Sequence, residues 1–172
     1  MTVVPLRAVL KFWPLAAACA SAAMLAIAHG FERFGGLSPC TLCYEQRDVY
    51  WAALTAGLAG FTLSYARLAW IGRAACVILA LLFLAGAGIA AYHAGAEWKW
   101  WPGPSACSGA RGGVGAGDLA AFLKGAHYAA PRCDEAAWRL LGLSMAGWNV
   151  LISLGLTAMS VAAAVRKGRS DD

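Results

Sequence analysis

Charge is scarce in this chain. Asp, Glu, Lys and Arg supply only 13% of its 172 residues, whereas 60% are hydrophobic and eight are tryptophan. Four long stretches carry no charged residue at all: Phe12–Phe31, Val49–Ala66, Ala74–Ala96 and Leu140–Val165. A helix needs about 20 mostly apolar residues to cross a hydrocarbon core roughly 30 Å thick. One such run is compatible with a buried core helix; four in one small chain argue against a soluble domain. Also missing are an internal repeat and a linker that would divide the chain. There is no G-x-G-x-x-G following a strand, so the phosphate cradle of dinucleotide and flavin enzymes is excluded. The expectation is one all-α membrane domain over residues 1–172, a four-transmembrane-helix bundle.

The few charges are unevenly placed. Arg7 and Lys11 precede the first span, Arg67 and Arg73 lie between the second and third, and Arg166, Lys167 and Arg169 follow the fourth. Only Asp171 and Asp172 offset them. The other two loops, approximately 32–48 and 97–139, hold as many basic residues, balanced by Glu32, Glu45, Asp48, Glu97, Asp118, Asp134 and Glu135. Short basic segments stay in the cytoplasm, so both termini are expected inside and both longer loops outside. The net charge of +5 is therefore about topology, and no nucleic-acid partner is expected. The bilayer is.

Spans are expected at about 12–31, 49–66, 74–96 and 140–165. A cleaved signal peptide competes for the first, because Arg7 and Lys11 precede an Ala-rich run, and Ala16-Ala17-Ala18-Cys19 hints at a lipoprotein site. The chain stays apolar from Ala20 to Gly30 instead of turning polar, which favours a retained helix. Cys19 and Cys76 are then small buried side chains. Gly86 and Gly88 are expected to allow close helix approach. Trp98, Trp100 and Trp101 form an interfacial belt at the start of the second loop, and Asp118–Lys124 forms a short helix lying on the bilayer.

The chemistry concentrates at Ser38-Pro39-Cys40-Thr41-Leu42-Cys43-Tyr44-Glu45-Gln46-Arg47. Ser38 is a preferred helix cap and Pro39 suits the first helical position, which places Cys40 and Cys43 in the first turn. Cys40, Cys43 and Arg47 then share a face. Free amides at a helix start and a nearby guanidinium both favour thiolate over thiol. Cys107 and Cys133 lie in the second outer loop. Three readings compete for the four outer cysteines: a structural staple, a zinc site and thiol–disulfide exchange. A four-cysteine zinc site would need a second closely spaced pair, which Cys107 and Cys133 do not form, so no metal is expected. C-x-x-C suits a reversible disulfide closed within one helical turn.

The stretch Pro39–Arg47 resembles the P-C-x-L-C-x-x-x-R signature of the DsbB family, membrane quinone reductases that reoxidise the periplasmic dithiol oxidase DsbA. Tyr92-His93 resembles that family's tyrosine–histidine region at the end of the third span. Cys107 and Cys133 match its second-loop pair, and the stretch from Cys133 through Trp138 to Asn149 is similar to its approach to the fourth span. The resemblance implies a bacterial inner-membrane protein with its active cysteines facing the periplasm. It implies a DsbA-type partner, and ubiquinone or menaquinone from the membrane pool as cofactor. By the same resemblance, Cys107 would be attacked by reduced DsbA, and Cys133 would exchange with Cys40. Cys43 would become a thiolate against the quinone ring, and Arg47 would stabilise it. His93 would neighbour the quinone, against the plainer reading of an interfacial histidine satisfied by loop backbone.

Two rivals remain at this stage. A quinone-linked thiol oxidoreductase of the vitamin K epoxide reductase type also combines a four-helix bundle with two cysteine pairs, but places its C-x-x-C late in the bundle. The other is a non-catalytic membrane protein with a disulfide-stapled loop.

Overall fold

The computed structural model describes residues 9–10, 12–65, 69–104 and 133–166. Four long helices occupy most of them. Helix α1 spans Trp13–Gly35, with Pro14 at its start, where a missing N–H costs nothing. It stops at Gly36, whose φ of 64° is a left-handed conformation open to glycine. Helix α2 spans Thr41–Tyr65 and α3 spans Ala69–Glu97. Helix α4 spans Met145–Val165 and is capped by Ser144, whose Oγ accepts the Gly147 N–H at 3.1 Å.

Two of these beginnings differ from the sequence reading. The first hydrogen bond of α2 runs from the Tyr44 N–H to the Cys40 carbonyl, so Cys40 itself is the cap position and Ser38 and Pro39 stay outside the helix. Before α4, residues expected to open the fourth span form a small antiparallel hairpin, β1 (Arg139–Leu140) paired with β2 (Leu143–Ser144). Leu141 and Gly142 turn it with φ of 53° and 82°, the positive pair that a two-residue hairpin turn needs. Among the described residues the fold is helical apart from this two-stranded sheet.

Among the described residues, three helices are long and apolar enough to cross a membrane: α1, α3 from Trp70 onward, and α4. Helix α2 has the length but is less apolar. Its first two turns carry Glu45, Gln46, Arg47 and Asp48, and its body includes Thr55, Thr62 and Ser64. These hydroxyls are returned to the helix's own backbone: Thr55 to the Ala52 carbonyl at 2.9 Å and Thr62 to that of Leu58 at 3.0 Å. Ile27, Leu81, Leu84, Leu151 and Leu154 all point outward, an apolar surface suited to lipid.

In the bundle α2 lies between α1 and α3, α3 packs along α4, and α1 meets α4 only slightly. Leu79 and Phe83 are fully buried at its centre with Ala17, Ala53 and Tyr50. Close approach depends on glycines of α2: a Cβ on Gly57 would stand 2.6 Å from the Pro14 carbonyl oxygen. Gly86 works as expected, since a Cβ there would come within 3.1 Å of Val49, whereas Gly88 faces open space. Cys76 is buried as expected, but Cys19 is exposed on the outer face of α1. The short helix expected at 118–124, Arg67 and Cys107 lie outside the described residues.

Candidate active site

The end of the bundle where α2 begins gathers the predicted residues. Capping α2 sets Cys40 at its very start and Cys43 one turn in, with their sulfur atoms 3.0 Å apart as free thiols. The two thiols are shifted in opposite directions. The hydrogen bond from Cys40 holds the Cys43 thiol below its ordinary pKa, with help from Arg47 and against burial. The same hydrogen bond, together with burial, pushes the Cys40 thiol upward. Charge therefore belongs on Cys43 and the proton on Cys40.

The two cysteines share one cluster, but only Cys43 reaches the neighbouring cavity. Cys40 is buried in a small cluster with Leu42 and Cys133, and Cys133 is completely inaccessible and held in a disulfide. The segment carrying Cys133 is tied to the end of α3 by Lys99, whose Nζ donates to Asp134 Oδ2 at 2.8 Å and to the Asp134 carbonyl at 2.7 Å. Cys43 instead lines a cavity of about 420 Å³. Its walls are mainly apolar and come from α1 (Met24, Ala28, Phe31), the hairpin and α4 (Leu140, Met145, Ile152). Phe31 and Trp138 meet across it with ring centroids 5.3 Å apart.

Arg47 lies one helical turn beyond Cys43 on the same wall. Its Nη1 donates to Glu32 Oε2, its Nη2 to the Ala28 carbonyl at 3.2 Å, and its guanidinium stands 5.6 Å from the Tyr44 ring centroid. His93 borders the cavity from α3 and is buried, contacting Cys40 Sγ at 3.7 Å and Gln46 at 3.0 Å. These partners are side chains, so the loop-backbone alternative for His93 is replaced. Glu97, counted in the sequence as a loop acid, is the buried last residue of α3, with Oε1 3.7 Å from His93 Nε2. Of the predicted site residues, Cys40, Cys43, Arg47, His93 and Cys133 converge, and Cys107 lies outside the described residues.

Sequence reasoning missed Gln46, Tyr50, Asn149 and Ser153, a buried polar set joining α2 to α4. Tyr50 donates to Asn149 Oδ1, Ser153 Oγ reaches the same oxygen at 3.4 Å, and Asn149 donates to Gln46 Oε1. The only signal for them was a polar residue interrupting an apolar run. Glu32 was equally unannounced as the partner of Arg47.

The site can do two things chemically. A C-x-x-C pair with a favoured thiolate, next to a buried disulfide-bonded cysteine, is arranged for thiol–disulfide exchange. An apolar cavity with Cys43, Arg47 and His93 on its wall suits a flat organic ring bearing polar oxygens. Cys40, Cys43 and His93 also offer three ligand atoms within 4.8 Å of one another.

The family model for disulfide bond formation protein DsbB matches residues 10–163. A disulfide bond formation protein B from Dechloromonas aromatica (strain RCB) is 32% identical over 157 residues, covering 86% of this chain and 87% of the relative. One from Methylococcus capsulatus (strain ATCC 33009 / NCIMB 11132 / Bath) is 33% identical over 148 residues, covering 81% and 85% respectively. One from Aromatoleum aromaticum (strain DSM 19018 / LMG 30748 / EbN1) is 33% identical over 147 residues, covering 79% and 84%. No solved structure matches. With three membrane-spanning-capable helices, a paired-cysteine site at one end of the bundle and a family match over most of its length, this chain belongs to the DsbB family of disulfide bond formation proteins.

Proposed function

We propose that the protein is a membrane dithiol:quinone oxidoreductase that reoxidises a periplasmic DsbA-type thiol oxidase and sustains disulfide bond formation. One observation carries the reading: Cys40 is buried with Cys133, and Cys43, packed against that same cluster, also opens on an apolar cavity. A relay needs both contacts and a staple does not.

In the proposed relay a thiolate of the reduced partner attacks Cys107, and Cys133 leaves as a thiolate. Cys133 attacks Cys40 Sγ of the Cys40–Cys43 disulfide, and the electron pair departs on Cys43. The partner's second thiolate then resolves its bond to Cys107 and leaves oxidised. Cys107 re-forms its bond to Cys133 as Cys40 departs, so the electrons rest on the Cys40–Cys43 dithiol, from which they pass to a bound acceptor as that disulfide closes. Arg47 faces the negative charge on Cys43 across one helical turn, and the carboxylate of Glu32 holds the guanidinium in place. When bound, ubiquinone or menaquinone supplies the two-electron acceptor, taking up two protons as it becomes the quinol. The cavity fits such a group by its apolar lining and its size, with Cys43, Arg47 and His93 as the residues that would hold it.

The orientation proposed is that of a multi-pass inner-membrane protein with both termini cytoplasmic and α2 as the second of four spans. Its internally bonded threonines support α2 in that role, because a span must satisfy its polar groups itself. Purified protein with a reduced DsbA-type dithiol as donor should reduce ubiquinone or menaquinone. Folded protein that turns over neither would remove the reading. Thiol counts before and after adding the reduced partner separate a cycling enzyme from a disulfide staple. A vitamin K epoxide reductase-type arrangement is disfavoured by a C-x-x-C at the start of the second helix.

A further inference from the structure

The buried polar groups behind the cysteines form a chain with a single direction. Gln46 Nε2 lies 3.1 Å from the Leu42 carbonyl oxygen, which can only accept, so that end of the amide is the NH₂. The same nitrogen lies 3.0 Å from His93 Nδ1 and donates to it. The other end of the amide, Oε1, accepts from Asn149 Nδ2, and Asn149 Oδ1 accepts in turn from the hydroxyls of Tyr50 and Ser153. The Leu42 carbonyl thus fixes the Gln46 amide, and the Gln46 amide in turn fixes that of Asn149, while the Tyr50 and Ser153 hydroxyls adapt to it. A histidine whose Nδ1 accepts carries its proton on Nε2, and a doubly protonated ring would set an N–H against the Gln46 NH₂. His93 Nε2 is the nitrogen 3.7 Å from Cys40 Sγ, with Glu97 Oε1 also at 3.7 Å.

We propose that Gln46, oriented by Leu42 and Asn149, is a positioning residue that locks His93 as the neutral Nε2–H tautomer and aims that N–H at the sulfur of Cys40. This rests on the reading of Cys40 as a reacting cysteine. His93 then acts toward Cys40 as a hydrogen-bond donor, favouring negative charge on that sulfur when it attacks or leaves, and not as the base that removes its proton. The lock also bears on the metal-like grouping of Cys40, Cys43 and His93: a cation at Nε2 would first have to displace the proton that Gln46 places there.

The test is nitrogen NMR of the full-length protein in lipid nanodiscs, labelled with ¹⁵N-histidine, in a His29→Gln/His127→Gln background that leaves His93 as the sole signal. Nε2 should carry the bonded proton and Nδ1 should resonate as an unprotonated ring nitrogen; a proton on Nδ1 overturns the proposal. In Gln46→Leu, which removes the donor without adding a titratable group, part of the His93 signal should move to the Nδ1-protonated form. A wholly unprotonated Nδ1 in that variant would show that Gln46 does not set the tautomer. Neither spectrum depends on turnover, so failure of the tautomer lock and failure of the oxidoreductase reading are separable.

Discussion

Arg47, on the cavity wall, and Glu32 form an ion pair joining the first turns of α2 to the last turns of α1. The second guanidinium nitrogen reaches the Ala28 carbonyl, so the charge is held in one plane by two anchors on the neighbouring helix. An arginine makes the two contacts from two nitrogens of one rigid plane, whereas a lysine would have to reach both from a single ammonium on a flexible stem.

Arg47→Ala is therefore expected to lower kcat/KM for quinone by about 10- to 100-fold, the scale of losing a charge-assisted contact in a dry site. KM for the dithiol partner should change little. Arg47→Lys should recover only part of the loss. Steady-state kinetics with each substrate varied in turn makes the comparison, and equal damage to both substrates would mean that Arg47 only holds the fold.

A second expectation concerns Cys43 alone. When exchange is trapped by substitution at Cys107 or Cys133, a thiolate left on Cys43 should perturb the visible absorbance of bound quinone. Cys43→Ser should abolish that perturbation. The same absorbance in the serine variant would contradict the placement of the charge.

The opposite shifts of the two thiols give a pH prediction. Cys43 is shifted down and Cys40 up, so on lowering the pH from 9 the thiolate persists on Cys43 after an ordinary thiol has been protonated. In reduced protein at pH 7, iodoacetamide should label Cys43 first, and peptide mass mapping reads the order. Cys40 labelled first would reverse the assignment.

Gly57 offers a stability test away from the chemistry. A side chain there meets the backbone carbonyl of Pro14, which cannot move aside as a flexible side chain could. Gly57→Val is expected to cost about 1–3 kcal/mol by forcing α1 from α2. A lowered thermal midpoint in detergent should reveal it, while Gly88→Ala, in open space, should leave the midpoint unchanged.

How much of this was legible beforehand follows from the range of each interaction. Helix positions could be read from uncharged runs, because crossing a bilayer imposes length and composition on contiguous residues. Cys40, Cys43 and Arg47 could be read because they lie within two turns of one helix. Where the helix begins could not: Ser38 and Cys40 are both sterically able to end the extended segment, and backbone geometry selects Cys40. The hairpin before α4 was missed because Leu141 in a left-handed conformation is unusual, although Gly142 and the Ser144–Gly147 cap were visible signals. The Gln46–Asn149 and Arg47–Glu32 pairs depend on how helices rotate against one another. No spacing within one segment encodes that.

The sparse meeting of α1 and α4 has a consequence for supply. Both helices line the cavity beside Cys43, and among the described residues they touch each other only slightly. A reactant dissolved in the bilayer would arrive sideways through the seam between them, by diffusion in two dimensions, without passing through water. Its governing concentration would be its mole fraction among the lipids. Turnover in vesicles should then track the quinone-to-lipid ratio and remain unchanged when the same vesicles are diluted with buffer.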